Sequence, residues 1–164
     1  MATVRTTRLP LLAAALVLAA AAPAPAQDDK KKDDPGKMPP LDAKEWKKRD
    51  NGMKVWDVKE GTGAEVKKGD TVTIHYTGWT TDGMIFDSSR KELSKRPTDG
   101  KPATFPLANL IKGWQEGVPG MKPGGVRRLY IPYALAYGER GRPPLIPAKA
   151  DLVFEIEVMD PADK

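Results

Sequence analysis

Cysteine is absent from these 164 residues, and histidine occurs once, at His75. Such a set holds no material for a disulfide framework, a zinc cluster, an iron–sulfur site or a Cys nucleophile. A strong charge of one sign is missing too. The chain has 27 Lys plus Arg against 22 Asp plus Glu, both signs mixed along its length, the make-up of an ordinary solvated surface, so no nucleic-acid partner is expected. Phosphate-cradling loops are lacking as well. Gly61-Thr62-Gly63 is followed by Ala64-Glu65-Val66, without the third glycine and helix of a dinucleotide fingerprint, and reads as a turn. No G-x-S-x-G elbow occurs. His75 falls on the outward face of its strand, and Glu155 and Glu157 read as ordinary edge charge on a solvent face. Neither a metal nor a cofactor is expected.

What is present begins with an apolar leader. Met1 to Arg8 carries Arg5 and Arg8 and no acid, and Leu9 to Ala22 is Leu, Ala and Val interrupted by Pro10. Ala24-Pro25-Ala26 then offers the small residues that signal peptidase needs. Residues 1–26 are expected to be a signal peptide cut after Ala26, which would place the mature protein in the periplasm or outside the cell. The alternative is a retained anchor, but a spanning helix takes roughly 20 apolar residues and this run has about 14. Cleavage would lower the net charge from +5 to about +3 and leave no segment for stable membrane insertion.

Residues 27–50 are expected to be a charged, Pro-rich disordered linker, because Gln27 to Pro40 is charge blocks, Pro and Gly with one large apolar residue, Met38. For Leu41 to Asp50, where Trp46 stands among Lys and Arg, a short docked turn and continued disorder are both open.

Residues 51–160 change texture to short alternating runs bounded by Gly, Pro and Asp. Thr71 to Gly78 places Val72, Ile74 and Tyr76 on one face, and Asp82-Gly83 reads as a hairpin before Met84-Ile85-Phe86. Val126 to Ile131 puts Leu129 and Ile131 inward, and Leu152, Phe154, Ile156 and Val158 form the inner face of a last strand. Met53 to Val58 alternates without declaring which side faces in. One helix is expected from Leu110 to Val118, with Leu110, Ile111, Trp114 and Val118 at helical spacing and Pro119-Gly120 as its stop. The fold class is α+β, a curved antiparallel sheet covering one short α-helix.

Among the aromatic residues of this region, Tyr76, Phe86, Trp114, Tyr137 and Phe154 stand out. Their neighbours are distinctive. HYTG ends at Gly78, FDSS runs Phe86 to Ser89, GW-x-EGV runs Gly113 to Val118, AYG surrounds Tyr137, and LVFE-x-E-V runs Leu152 to Val158. In that order, over Gly52 to Asp160, the series closely resembles the FK506-binding-protein family of peptidyl-prolyl isomerases.

The resemblance implies a sheet of five or six strands around one helix, and a cleft with Trp114 as its floor. Tyr76, Phe86, Asp87, Tyr137 and Phe154 would complete its catalytic walls, with Leu110, Ile111, Leu145 and Ile146 binding substrate. It further implies that the Ile111 N–H and the Tyr137 hydroxyl donate to substrate carbonyls. Asp87 would face the rotating amide, oriented by a salt bridge to Arg90; the plain alternative for Asp87 is a turn cap ahead of Ser88-Ser89. The implied substrates are Xaa-Pro bonds in unfolded or partly folded exported polypeptides, and FK506-like macrolides are implied ligands.

Two departures stand out. Lys91 to Lys101 is a long polar stretch, expected to be an exposed excursion, and Ala103 stands where a second cleft aromatic is expected. Both keep open an alternative, a non-catalytic peptide-binding or chaperone module on the same fold. A monomer is expected, since Gln27 to Asp50 is too short and Pro-rich to form the helical stalk through which some secreted relatives dimerise.

Overall fold

The computed structural model describes Asp34 and residues 36–159. The expected signal peptide, its cut after Ala26 and the start of the expected linker lie outside the described residues. The strands are β1 (Lys47–Lys48), β2 (Lys54–Lys59), β3 (Thr71–Thr80), β4 (Ile85–Ser88), β5 (Ala103–Pro106), β6 (Val126–Ile131) and β7 (Leu152–Val158), and α1 spans Lys112–Gly117. They form one seven-stranded sheet in the order β1-β2-β6-β7-β3-β4, with β5 also on β3, and every pairing is antiparallel. The strand beyond the expected five or six is the two-residue β1.

The inner face follows the alternation. Ile74, Leu129, Ile131, Leu152, Phe154, Ile156 and Val158 are buried in one cluster with Trp114 and Val118. Met53 and Val55 join it, which settles the facing of β2. A six-residue helix is too short to persist on its own propensity, so tertiary packing must hold α1. Gly113 and Gly117 permit that packing. A Cβ at Gly113 would lie 2.4 Å from Ile131 Cγ2, and one at Gly117 would lie 2.6 Å from Leu129 Cδ1.

The outer face is covered as well, in part by residues of the Leu41 to Asp50 stretch, for which the sequence leaves a docked turn and disorder both open. Trp79 and Val153, both fully buried, form a separate cluster with Trp46, against which Met38, Leu41, Ala43 and Trp56 pack. Trp46 donates from Nε1 to the Pro40 carbonyl at 2.8 Å and meets Trp56 edge to face at 5.7 Å. Apolar residues this sparse show no period in the chain, yet together they cover the back of the sheet. The expectation of edge charge for Glu155 and Glu157 is corrected. Both lie on β7, between β3 and β6, because alternation reports a strand's faces but not its place in the sheet. Glu155 accepts from Arg128 Nε at 2.9 Å, with only 3% of the Arg128 side chain exposed, and the guanidinium lies 4.4 Å from the Trp56 centroid.

His75 stands opposite Glu157, its Nδ1 2.9 Å from Ser89 Oγ. Burial, and then the Arg90 charge, lower its pKa below the ordinary 6.5. The unfolded chain therefore takes up this proton first. The stabilising contribution is complete above about pH 6.5 and is lost as acidification passes through that value to the lower folded pKa. Urea midpoints measured from pH 7.5 down to 5.5 should fall more steeply for the parent than for His75→Gln; equal slopes would count against this linkage.

Candidate active site

The inner cluster is not closed over. Between α1 and the β3–β4–β5 edge lies a cleft of about 260 Å³ lined by Tyr76, Phe86, Asp87, Arg96, Phe105, Leu110, Ile111, Trp114, Tyr137, Arg142 and Phe154. Each element supplies its part. β3 carries Tyr76, β4 carries Phe86 and Asp87, β5 carries Phe105 and β7 carries Phe154, while Leu110 and Ile111 lead into α1 and Trp114 follows within it. Tyr137 stands just beyond a 3-10 turn at Tyr133–Leu135.

The rings touch in a continuous series. Trp114 lies 5.6 Å from Tyr76 at 79° and 5.2 Å from Phe154 at 88°. Phe86 meets Phe154 at 5.5 Å and 90°, and Phe105 meets Tyr76 at 6.2 Å and 64°. Each contact sets the positive edge of one ring against the negative face of the next, which fixes orientation as well as burying area. The glycine of HYTG makes room for this. A Cβ on Gly78 would lie 2.7 Å from both Phe86 Cζ and Phe154 Cε1, so any side chain there would push the two walls apart. At the floor, the buried Trp114 Nε1 has no hydrogen-bond partner among the described residues.

Three charged residues, Asp87, Arg96 and Arg142, interrupt the apolar wall. Asp87 accepts from the Tyr76 hydroxyl at 3.0 Å and is paired with the Arg96 guanidinium. Burial, then the Asp87 charge, drive the Tyr76 pKa well above that of an ordinary phenol, so it remains a donor. The bond to Asp87 in turn raises the pKa of Arg96. The serines of FDSS do the backbone work instead: Ser88 Oγ donates to the Tyr76 carbonyl at 3.0 Å, and the Tyr76 N–H donates to Ser89 Oγ at 2.9 Å. Asp87 is thereby left to face the cleft.

The sequence model of the FKBP-type peptidyl-prolyl cis-trans isomerases matches residues 63–159. The chain belongs to this family. It is 44% identical over 110 residues to an FK506-binding protein of Neisseria meningitidis, an alignment covering 66% of this chain and 94% of that one. An FK506-binding protein 4 of Rhizopus delemar is 44% identical over 111 residues, with 66% of this chain and 27% of that one covered. The crystal structure of FkpA from Escherichia coli superposes with a TM-score of 0.64 at 38% identity, covering 73% of this chain and 52% of that one. The chain thus spans about a quarter of the Rhizopus protein and about half of FkpA.

Of the residues expected at the site of this FKBP-type chain, Tyr76, Phe86, Asp87, Leu110, Ile111, Trp114, Tyr137 and Phe154 come together. Leu145 and Ile146 line an adjoining hollow of about 150 Å³ that shares Phe86, Asp87 and Tyr137 with the cleft. Arg90 does not belong there, and its expected pairing with Asp87 is corrected. Its guanidinium is 2.7 Å from Glu157, which stands on β7 opposite His75 of β3. The partner of Asp87 comes from the 91–101 loop instead. Leu93 and Ser94 N–H groups donate back to the Arg90 carbonyl at 3.1 and 3.0 Å, and Ser94 Oγ donates to the Arg96 carbonyl at 2.8 Å. The expected excursion therefore returns Arg96 over the cleft. The expectation at Ala103 is corrected likewise, since Phe105 fills the wall. Alternation along β5 puts residues 103 and 105 on the same side, and that was the available signal; for Arg96, in a loop without period, there was none.

Proposed function

We propose that this cleft receives the Xaa-Pro bond of unfolded or partly folded exported polypeptides and speeds its rotation without covalent chemistry. Amide resonance gives that bond a barrier of roughly 18 to 20 kcal/mol, and uncatalysed exchange takes tens to hundreds of seconds, slow enough to limit folding. Halfway through rotation the nitrogen is no longer conjugated. The amide then has less charge separation and needs less solvation than when planar. A dry aromatic cleft favours that twisted form over the planar one, which is the difference that catalysis requires. No nucleophile, metal or cofactor enters the reaction.

In this reading Trp114 lies under the pyrrolidine ring, and Phe86 and Phe154 wall it, with Phe105 beyond Tyr76. The Ile111 N–H and the Tyr137 hydroxyl donate to substrate carbonyls, while Leu110, Leu145 and Ile146 bound the chain on either side. Asp87, its charge offset by Arg96, faces the amide. The observation that carries the reading is the unbroken series of ring contacts from Phe105 to Phe86 around an open 260 Å³ cleft. Phe105 in the wall answers one of the two features that favour a non-catalytic module, the other being the long 91–101 loop. The apolar leader supports action on exported chains, where ATP is not needed, after a cut following Ala26. The protein is proposed to act as a monomer, and relatives named for FK506 binding support macrolides as competing ligands.

Exchange on a short Xaa-Pro peptide, followed by NMR or protease coupling, tests the proposal. Acceleration that FK506 suppresses is the expected result; a peptide that binds without faster exchange would reject catalysis.

A further inference from the structure

The cleft is one of three connected hollows. On one side lies the 150 Å³ hollow bounded by Pro143 to Ile146, and on the other a polar hollow of about 500 Å³ under the 94–103 segment. All three share Asp87 and Arg96, so a polypeptide lying across them would meet the charged groups of all three. Asp87 is matched by Arg96, and Asp99 lies 3.9 Å from Lys101 Nζ. Arg142 is different. No carboxylate lies within ion-pair distance of it among the described residues, and the nearby Glu139 is taken by Lys149 at 3.6 Å. Its guanidinium rests 5.8 Å from the Tyr137 ring centroid instead.

The loop holds Arg142 in place. Its N–H donates to the Ile146 carbonyl at 2.8 Å and its carbonyl accepts from the Ile146 N–H at 3.0 Å. Before it, Gly141 has φ +64°, and a Cβ there would lie 2.2 Å from the Pro147 carbonyl oxygen. The cleft therefore carries one uncompensated positive charge on a fixed backbone at the rim of an apolar wall. A cation so placed attracts a carboxylate at short range more than it would in bulk water, and repels an ammonium equally.

Building on the isomerase reading, we infer that Arg142 is a specificity residue, selecting substrates with an acidic side chain next to the proline. The partners so favoured are acidic, proline-containing segments of unfolded chains.

Six peptides of one length test this, with Glu, Gln or Lys immediately before the proline, or immediately after it. At low salt the parent should show kcat/KM for Glu over Lys by about threefold to tenfold at one of the two positions, shrinking in 0.5 M NaCl. Arg142→Lys should retain most of that ratio, Arg142→Gln should bring it near one, and Arg142→Glu should invert it. A Glu-to-Lys ratio near one in the parent, or one that Arg142→Gln leaves unchanged, overturns the inference. Should no peptide be isomerised, the isomerase reading fails. NMR titration with the same peptides then decides the role of Arg142 alone, by whether Glu peptides bind more tightly than Lys peptides and lose that advantage in Arg142→Gln.

Discussion

Phe86→Ala is expected to lower kcat/KM for Xaa-Pro exchange by about tenfold to a hundredfold. The ring is 4% exposed, it lines both the cleft and the hollow beside it, and it stands edge to face with Phe154 at 5.5 Å. Removing an aromatic wall forfeits about 1.5 to 3 kcal/mol of apolar contact with whatever lies against it, and each 1.36 kcal/mol is a factor of ten in rate. The same ring packs against the protein, so truncation also costs about 3 kcal/mol of stability or more. Phe86→Leu separates the two effects. It nearly preserves volume and so keeps the fold, but it loses the oriented ring, for which a decline of up to about tenfold is expected. Near-UV circular dichroism establishes folding of each variant, and exchange kinetics give the rates. A folded Phe86→Leu protein with parental efficiency would remove the aromatic wall from the mechanism.

Trp46→Ala should have the opposite profile, a large loss of stability with catalysis at 25 °C intact. Trp46 is 9% exposed and tops the cluster that covers Trp79 and Val153 on the back of the sheet. Truncating a large buried aromatic costs about 3 to 5 kcal/mol; with one edge at the surface, the lower figure applies, which corresponds to a fall in Tm of about 10 °C. The cleft is on the other face, where alternate residues of β7, Leu152, Phe154 and Ile156, join a separate cluster. Calorimetry and exchange kinetics on the same preparation give both readings. An unchanged Tm would mean that the 38–48 segment contributes nothing to holding the domain together.

How far the fold was legible before any coordinates is a matter of range. Period-two alternation placed β3, β6 and β7 and their inner faces, since each strand needs only its own residues to declare which side is greasy. The Asp82-Gly83 hairpin was legible for the same local reason. Resemblance then assembled the rings, which no period could have joined across residues 76 to 154. What escaped was contact made by residues without a pattern. Arg96 and Arg90 both lie in a polar run, and only the path of the loop decides that the first reaches Asp87 while the second reaches Glu157. Trp46 is the mirror case, an aromatic among charges whose burial depends on a hole formed by Trp79 and Val153 far along the chain.

The order of strands bears on how such a catalyst comes into being. β7, the last strand among the described residues, is inserted between β3 and β6 and supplies Phe154 to the cleft. During synthesis, the two halves of the sheet must wait for residues 152–158 before they can join, and partnerships of such long sequence separation form slowly. A nascent chain still lacking that segment has neither a closed sheet nor a complete pocket. The proposed exchange activity is consequently expected only once that strand has been inserted, and a product terminated before residue 152 is expected to be inert rather than partly active.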